Sequence, residues 1–221
     1  MIIGDPSTFA IESGISRAYE GLGFRALGFF VLHILGERYG VYAPDASMLA
    51  CSLGEVEDRL LRRGSHIAPF AASIDGGMLA DAFRDAIYAP SQEGASYFGM
   101  PRSEFSNHLY SKHLVWAPDG DEAFDDGSFV LHIDVGDQVR LIGFRSGDSY
   151  HHDVKTLRDV WLPAADFYKI LEQWRADFIA EWRKSTKAPE EGHHHPNKVP
   201  ESTPMSGPSA TDAPGTGTAH Y

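Results

Sequence analysis

From Pro163 onward, large apolar residues recur at Phe167, Ile170, Leu171, Trp174, Phe178 and Trp182. Steps of three and four residues put them on one stripe of an α-helix. Proline at the start of that helix fits, because its missing amide would have no partner there in any case. A stripe this rich in aromatic rings has to be covered, so the helix is expected to pack across a sheet.

Strand signals supply that sheet. Phe9 to Ile15 alternates as a first strand, and Phe24 to Ile34 is a longer one rich in Phe, Val, Leu and Ile. Gly36 turns it into a second arm, Arg38 to Tyr42, making a hairpin that Ala43-Pro44-Asp45 closes. A second hairpin is expected from Phe129 to Val135 and Gln138 to Phe144, joined at Gly136-Asp137. Between the hairpins, Ser52-Leu53-Gly54-Glu55 matches a capping box, which predicts a helix running to about Arg63 and stopping at Gly64. Asp75 caps a further helix with its stripe at Met78, Leu79, Ala82, Phe83, Ala86 and Ile87, closed by Pro90. A short helix is expected over Glu104 to Ser111. The fold class is therefore α+β, a mostly antiparallel sheet packed by helices, with a long C-terminal amphipathic helix.

Composition changes after Lys184: Pro, Ser, Thr, Gly and His replace the large apolar residues. The expected organisation is one domain over residues 1–183 and a disordered tail over 184–221, which cannot bury enough surface to offset its ordering entropy. His193-His194-His195 in that tail lacks a fixed metal-binding geometry.

The formal net charge of −12 over 221 residues argues against binding nucleic acid through its phosphates and suits a basic protein partner. The longest apolar run, Ala26 to Leu35, is about half a bilayer span and contains Gly28 and His33, so no membrane association is expected. The N-terminus lacks the basic residues and cleavage pattern of a secretory signal, and a single cysteine suits a reducing compartment; a cytoplasmic protein is expected.

Candidate chemistry is sparse. Gly21-Leu22-Gly23-Phe24-Arg25-Ala26 loosely matches a dinucleotide fingerprint, but strand rather than helix follows it. Asp119, Asp121, Glu122, Asp125 and Asp126 form an acidic run. Phe124 stands where a calcium loop needs its glycine, which leaves a solvated loop or a patch for basic groups of another protein. Tyr150-His151-His152-Asp153 is the one local group with metal or acid–base potential. It needs further ligands from His33, His66, His108, His113 or His132, and adjacent histidines on a strand would face opposite ways. Cys51 is expected to pack rather than react. No serine nucleophile elbow or phosphate-cradling glycine loop is present. No cofactor or resident metal is expected.

The opening Gly4-Asp5-Pro6-Ser7-Thr8-Phe9-Ala10-Ile11-Glu12 resembles the start of the immunity protein 42 family of bacterial polymorphic toxin systems. The Phe24 to Val31 strand and the Val160-Trp161-Leu162-Pro163 lead into the terminal helix resemble it too. The resemblance implies a non-enzymatic antitoxin that binds a cognate toxin domain and occludes its active site. Gly4, Asp5, Pro6 and Phe9 then serve the fold. The acidic residues Asp119, Asp121, Glu122, Asp125 and Asp126 are the candidates for toxin contact. Two other readings stay open: a small metal-dependent hydrolase using His151, His152 and Asp153, and a ligand-binding or scaffold module.

Overall fold

The computed structural model describes residues 1–20, 26–90, 94–118 and 120–188. The glycine fingerprint at 21–25, Asp119, and the tail from 189 with its three histidines lie outside the described residues.

Strands β1 (Ile2–Asp5) and β2 (Phe9–Tyr19) form an N-terminal hairpin that the alternation from Phe9 did not reveal. Its turn is local chemistry: Asp5 Oδ1 accepts from the Ser7 amide and hydroxyl at 2.9 and 2.8 Å, and the Thr8 amide donates to the Asp5 carbonyl at 2.9 Å. Gly4 has φ +102°, and a Cβ there would lie 2.4 Å from the Phe9 carbonyl oxygen, so only glycine fits. Phe9 is fully buried against Trp116 and Phe167.

β2 pairs antiparallel with β3 (Ala26–Ile34), through a bulge at Ile15/Arg17. A left-handed Leu35-Gly36 turn leads to β4 (Glu37–Tyr39). With β5 (Ser47–Met48) against β3, this first sheet gains a sixth strand, β12, from residues expected in the tail: Lys187–Ala188 pairs parallel with β2.

Helix α1 (Leu49–Leu61) follows β5. It starts three residues before the predicted capping serine, because its buried stripe of Leu49, Leu53 and Val56 begins at Leu49. Ser52 lies inside the helix and caps nothing. The stop holds: Gly64 takes φ +79° just beyond the helix. Arg59 on α1 is buried with its guanidinium on the His113 and Val115 carbonyls, 4.9 Å from the Trp116 ring.

Helix α2 (Gly76–Tyr88) is capped as predicted, with Asp75 Oδ1 accepting from the Gly77 and Met78 amides at 2.9 and 3.2 Å. Leu79, Ala80, Ala82, Phe83 and Ala86 form its buried face; Met78 points outward, 58% exposed. A two-stranded ribbon, β6 (Ser96–Tyr97) with β7 (Met100–Pro101), leads into α3 (Arg102–Ser111), two residues longer than expected at its start.

The remaining strands, β8 (Val115–Ala117), β9 (Ser128–Val135), β10 (Gln138–Arg145) and β11 (Arg158–Pro163), form a second antiparallel sheet ordered β11-β10-β9-β8. The molecule thus has two main sheets where the strand signals suggested one. The second is covered on both faces, so β9 and the middle of β10 read as nearly continuous apolar runs. Phe129, Leu131, Ile133, Ile142 and Phe144 face the cluster formed with α2 and α3. Val130, Val139, Leu141 and Val160 face the main core.

Helix α4 (Ala164–Lys184) fills that main core and contacts strands of both sheets. Phe167, Leu171, Trp174 and Phe178 are buried as the periodicity predicts; Ile170 and Trp182 are partly buried, and Tyr168 joins the buried set. Trp174 stacks on Phe178 at 5.3 Å, meets the Phe30 edge at 5.0 Å, and donates from Nε1 to Ser13 Oγ at 2.9 Å.

Candidate interaction surface

The acidic segment is built from inside outward. Asp121 is 3% exposed. Its Oδ1 accepts from the Ala123 amide and Ser47 Oγ, both at 2.9 Å, and its Oδ2 accepts from Ser52 Oγ at 2.6 Å. These bonds hold a 3-10 turn over Glu122–Phe124, whose Ala123 and Phe124 side chains are buried. Asp121 therefore anchors the loop rather than facing solvent, and the serine read as a helix cap is one of its partners. Glu122 and Asp125 are exposed, with no ion-pair partner among the described residues. Asp126 is exposed too, but its Oδ1 accepts from the Ser128 amide at 3.1 Å and its Oδ2 lies 3.6 Å from Arg145 Nε.

Cys51 lies exposed on α1 near this loop, not packed as expected. Partial burial, with Asp121, Glu122 and Glu55 nearby, pushes its thiol up, away from a reactive thiolate.

The loop is joined to the first sheet where the Val41 amide donates to the Ala123 carbonyl at 2.7 Å. The next residue, Tyr42, is 49% exposed. Its hydroxyl donates to Glu12 Oε1 at 3.1 Å, and its ring centroid lies 4.5 Å from that of Phe29. Periodicity could not find this arrangement, because it joins residues from three separate segments.

The histidine group is divided by the fold. His151 and His152 both turn their Nδ1 toward Asp81 on α2, at 3.3 and 2.7 Å. Burial opposes ionisation of Asp81, but bonds from the His152 amide and ring outweigh it and hold the carboxyl below its usual range. Asp153 instead accepts the Lys155 amide at 3.0 Å within its own turn. The possible extra ligands are scattered: His33 pairs with Glu12, His108 with the Ile67 carbonyl and His113 with Asp58. Among the described residues, no group of three or more His, Cys, Asp or Glu side chains could hold a metal ion.

His66 and His132 are buried with ring centroids 4.4 Å apart. Beside them, Asp134 accepts from the Tyr168 hydroxyl at 2.8 Å and the His66 amide at 3.1 Å. Burial pushes His132 down to about 3 and lowers His66 as well. A cleft of about 330 Å³, lined by Arg63, Gly64, Asp137 and Ala164, reaches Asp134 and Tyr168. This cluster was missed because its members are dispersed and its histidines sit in apolar runs.

The sequence profile of the immunity protein 42 family matches residues 1–177, and the chain belongs to that family. Among solved structures, the crystal structure of CdiI from Burkholderia dolosa AUO158 is similar, with a TM-score of 0.53 and 17% identity. The likeness covers 80% of this chain and 99% of that one, and it is a likeness of fold. No curated protein matches the chain. No helix among the described residues is long and apolar enough to cross a membrane.

Proposed function

We propose that this chain protects the cell that makes it by binding a cognate toxin domain in the cytoplasm and covering that domain's active site or substrate path, with no chemistry of its own. Membership of an immunity-protein family supports the role. The observation that carries the binding reading is the loop locked by Asp121, which presents Glu122 and Asp125 outward in a fixed shape. A preformed acidic surface accelerates capture of a basic partner and opposes like-charged ones. The partner is accordingly a basic toxin domain, and Glu122, Asp125 and Asp126 are the steering charges, with Asp121 holding them in place.

The test uses the polypeptide encoded by the reading frame next to this chain's gene, assayed first for toxicity. The wild-type chain should form a stable complex with it and abolish its activity. Glu122→Gln, Asp125→Asn and Asp126→Asn together should slow association and flatten its dependence on salt. Absence of a complex would end the binding reading. An unchanged association rate would remove the role of charge.

A further inference from the structure

Helices α1 and α4 pack on the inner face of the six-stranded sheet through residues such as Phe30, Leu32 and Leu49. The opposite face carries a different set. Pairing places Ile2 beside Glu12, Gly14 beside Phe29, and His33 beside Arg38, so these side chains share the outer side. Gly14 makes room there: a Cβ on it would lie 2.6 Å from Phe29 Cε1.

Tyr42 lies across this face and is held on several sides. Besides the Glu12 bond and the Phe29 ring, the Arg38 guanidinium sits 4.5 Å from its centroid. Glu12 is itself fixed, with Oε2 bonded to His33 Nε2 at 2.8 Å. Tyr42 nevertheless stays half exposed, and Ile2 is 52% exposed. An aromatic side chain already ordered in the free protein loses little entropy on binding, and such residues are frequent energetic centres of interfaces. Acidic residues follow close in the chain: the Val41 amide, next to Tyr42, bonds the Ala123 carbonyl of the loop that carries Glu122 and Asp125, and Asp45 is held by the Ser16 hydroxyl.

We propose that the outer face of the six-stranded sheet, anchored by Tyr42 and Ile2, is the docking surface for a basic toxin domain, which sets lysines or arginines against Glu122, Asp125 and Asp45. This rests on the toxin-binding reading above and specifies the face that performs it. The acidic loop governs encounter, and the aromatic centre governs how long the complex lasts.

The full chain and the toxic polypeptide encoded by the neighbouring reading frame are the materials for the test. Tyr42→Ala should weaken binding at least tenfold, mainly through faster dissociation, and Tyr42→Phe should weaken it less. Met78→Ala, on the exposed side of α2, should bind within twofold of wild type. In the wild-type complex, hydroxyl-radical labelling of Tyr42 and Ile2 should fall, a readout that needs no variant to fold. A wild-type complex in which both residues label as in the free chain, or which tolerates Tyr42→Ala within twofold, overturns the assignment and leaves toxin binding standing. A free chain that is dimeric and becomes monomeric with Tyr42→Ala assigns the face to a second copy and overturns it too. Failure of the wild-type chain to bind overturns the functional reading itself.

Discussion

Ser52 Oγ lies 2.6 Å from Asp121 Oδ2, so one buried hydrogen bond joins the first turn of α1 to the acidic loop 69 residues later. Ser47 bonds the other oxygen of the same carboxylate. Removing the carboxylate with Asp121→Ala strands two buried hydroxyls and the Ala123 amide. A destabilisation of about 3 kcal/mol is expected, since bonds to a charged group contribute about 1.5–3 kcal/mol and the stranded donors add their own cost. Urea unfolding measures it. Ser52→Ala, which leaves two of the three donors, should cost less, about 1.5 kcal/mol. An Asp121→Ala chain as stable as wild type would show that the carboxylate does not hold the loop.

Trp174 is the pivot of the main core, where it touches Phe30, Phe178 and Ser13. Trp174→Ala should cost about 3–5 kcal/mol by leaving a cavity between α4 and the first sheet. Trp174→Phe keeps most of the volume but leaves Ser13 Oγ without its donor, and should cost less. Chemical denaturation of the two variants gives the order.

Acid should destabilise the fold in two stages. Unfolded histidines titrate near 6.5, whereas burial holds folded His132 at about 3 and lowers His66. Below about pH 6.5 the unfolded chain therefore binds protons that the folded chain refuses, and stability falls with pH. Asp134 adds a later loss. Burial raises its pKa, but the His132 ring, the Tyr168 hydroxyl and the His66 amide together hold it below the usual carboxylate value. Its contribution is present above the unfolded value and disappears as pH falls through the depressed one. Urea midpoints between pH 8 and 4 should start to drop below about pH 6.5, and His132→Phe should make that drop shallower. An unchanged slope in the variant would remove His132 from the account.

Asp81 ties the turn carrying His151 and His152 to α2. Asp81→Ala should lower stability by about 1–2 kcal/mol through loss of the bonds to the His152 amide and ring. A chelator should leave the melting temperature of the wild-type chain unchanged. A chelator-dependent shift, or metal retained in stoichiometric amount by purified protein, would revive the hydrolase reading.

The elements legible from the residues were those decided within a few positions. The Asp75 cap, the turns at Gly36 and Gly136-Asp137, the Gly64 stop and the stripe of α4 all depend on near neighbours, and all occur. The acidic loop was legible as charge but not as architecture: its sequence does not distinguish Asp121, buried on two serines, from Glu122, which faces solvent. The capping box failed for a related reason. A serine followed by glutamate at the third position suits a helix start, yet the same serine is accommodated inside a helix when a distant carboxylate takes its hydroxyl.

By itself, the chain's order of residues determined an α+β protein with antiparallel pairing, a long aromatic helix and an acidic surface, because periodicity, turn chemistry and net charge are local or additive properties. Only the tertiary structure decided that the strands divide into two sheets around α4, that His151 and His152 meet Asp81 rather than Asp153, and that Tyr42 comes to rest on Phe29 and Glu12. Each of those contacts joins residues distant in the chain, and the energy selecting it comes from burial and hydrogen bonding that exist only once the elements have packed.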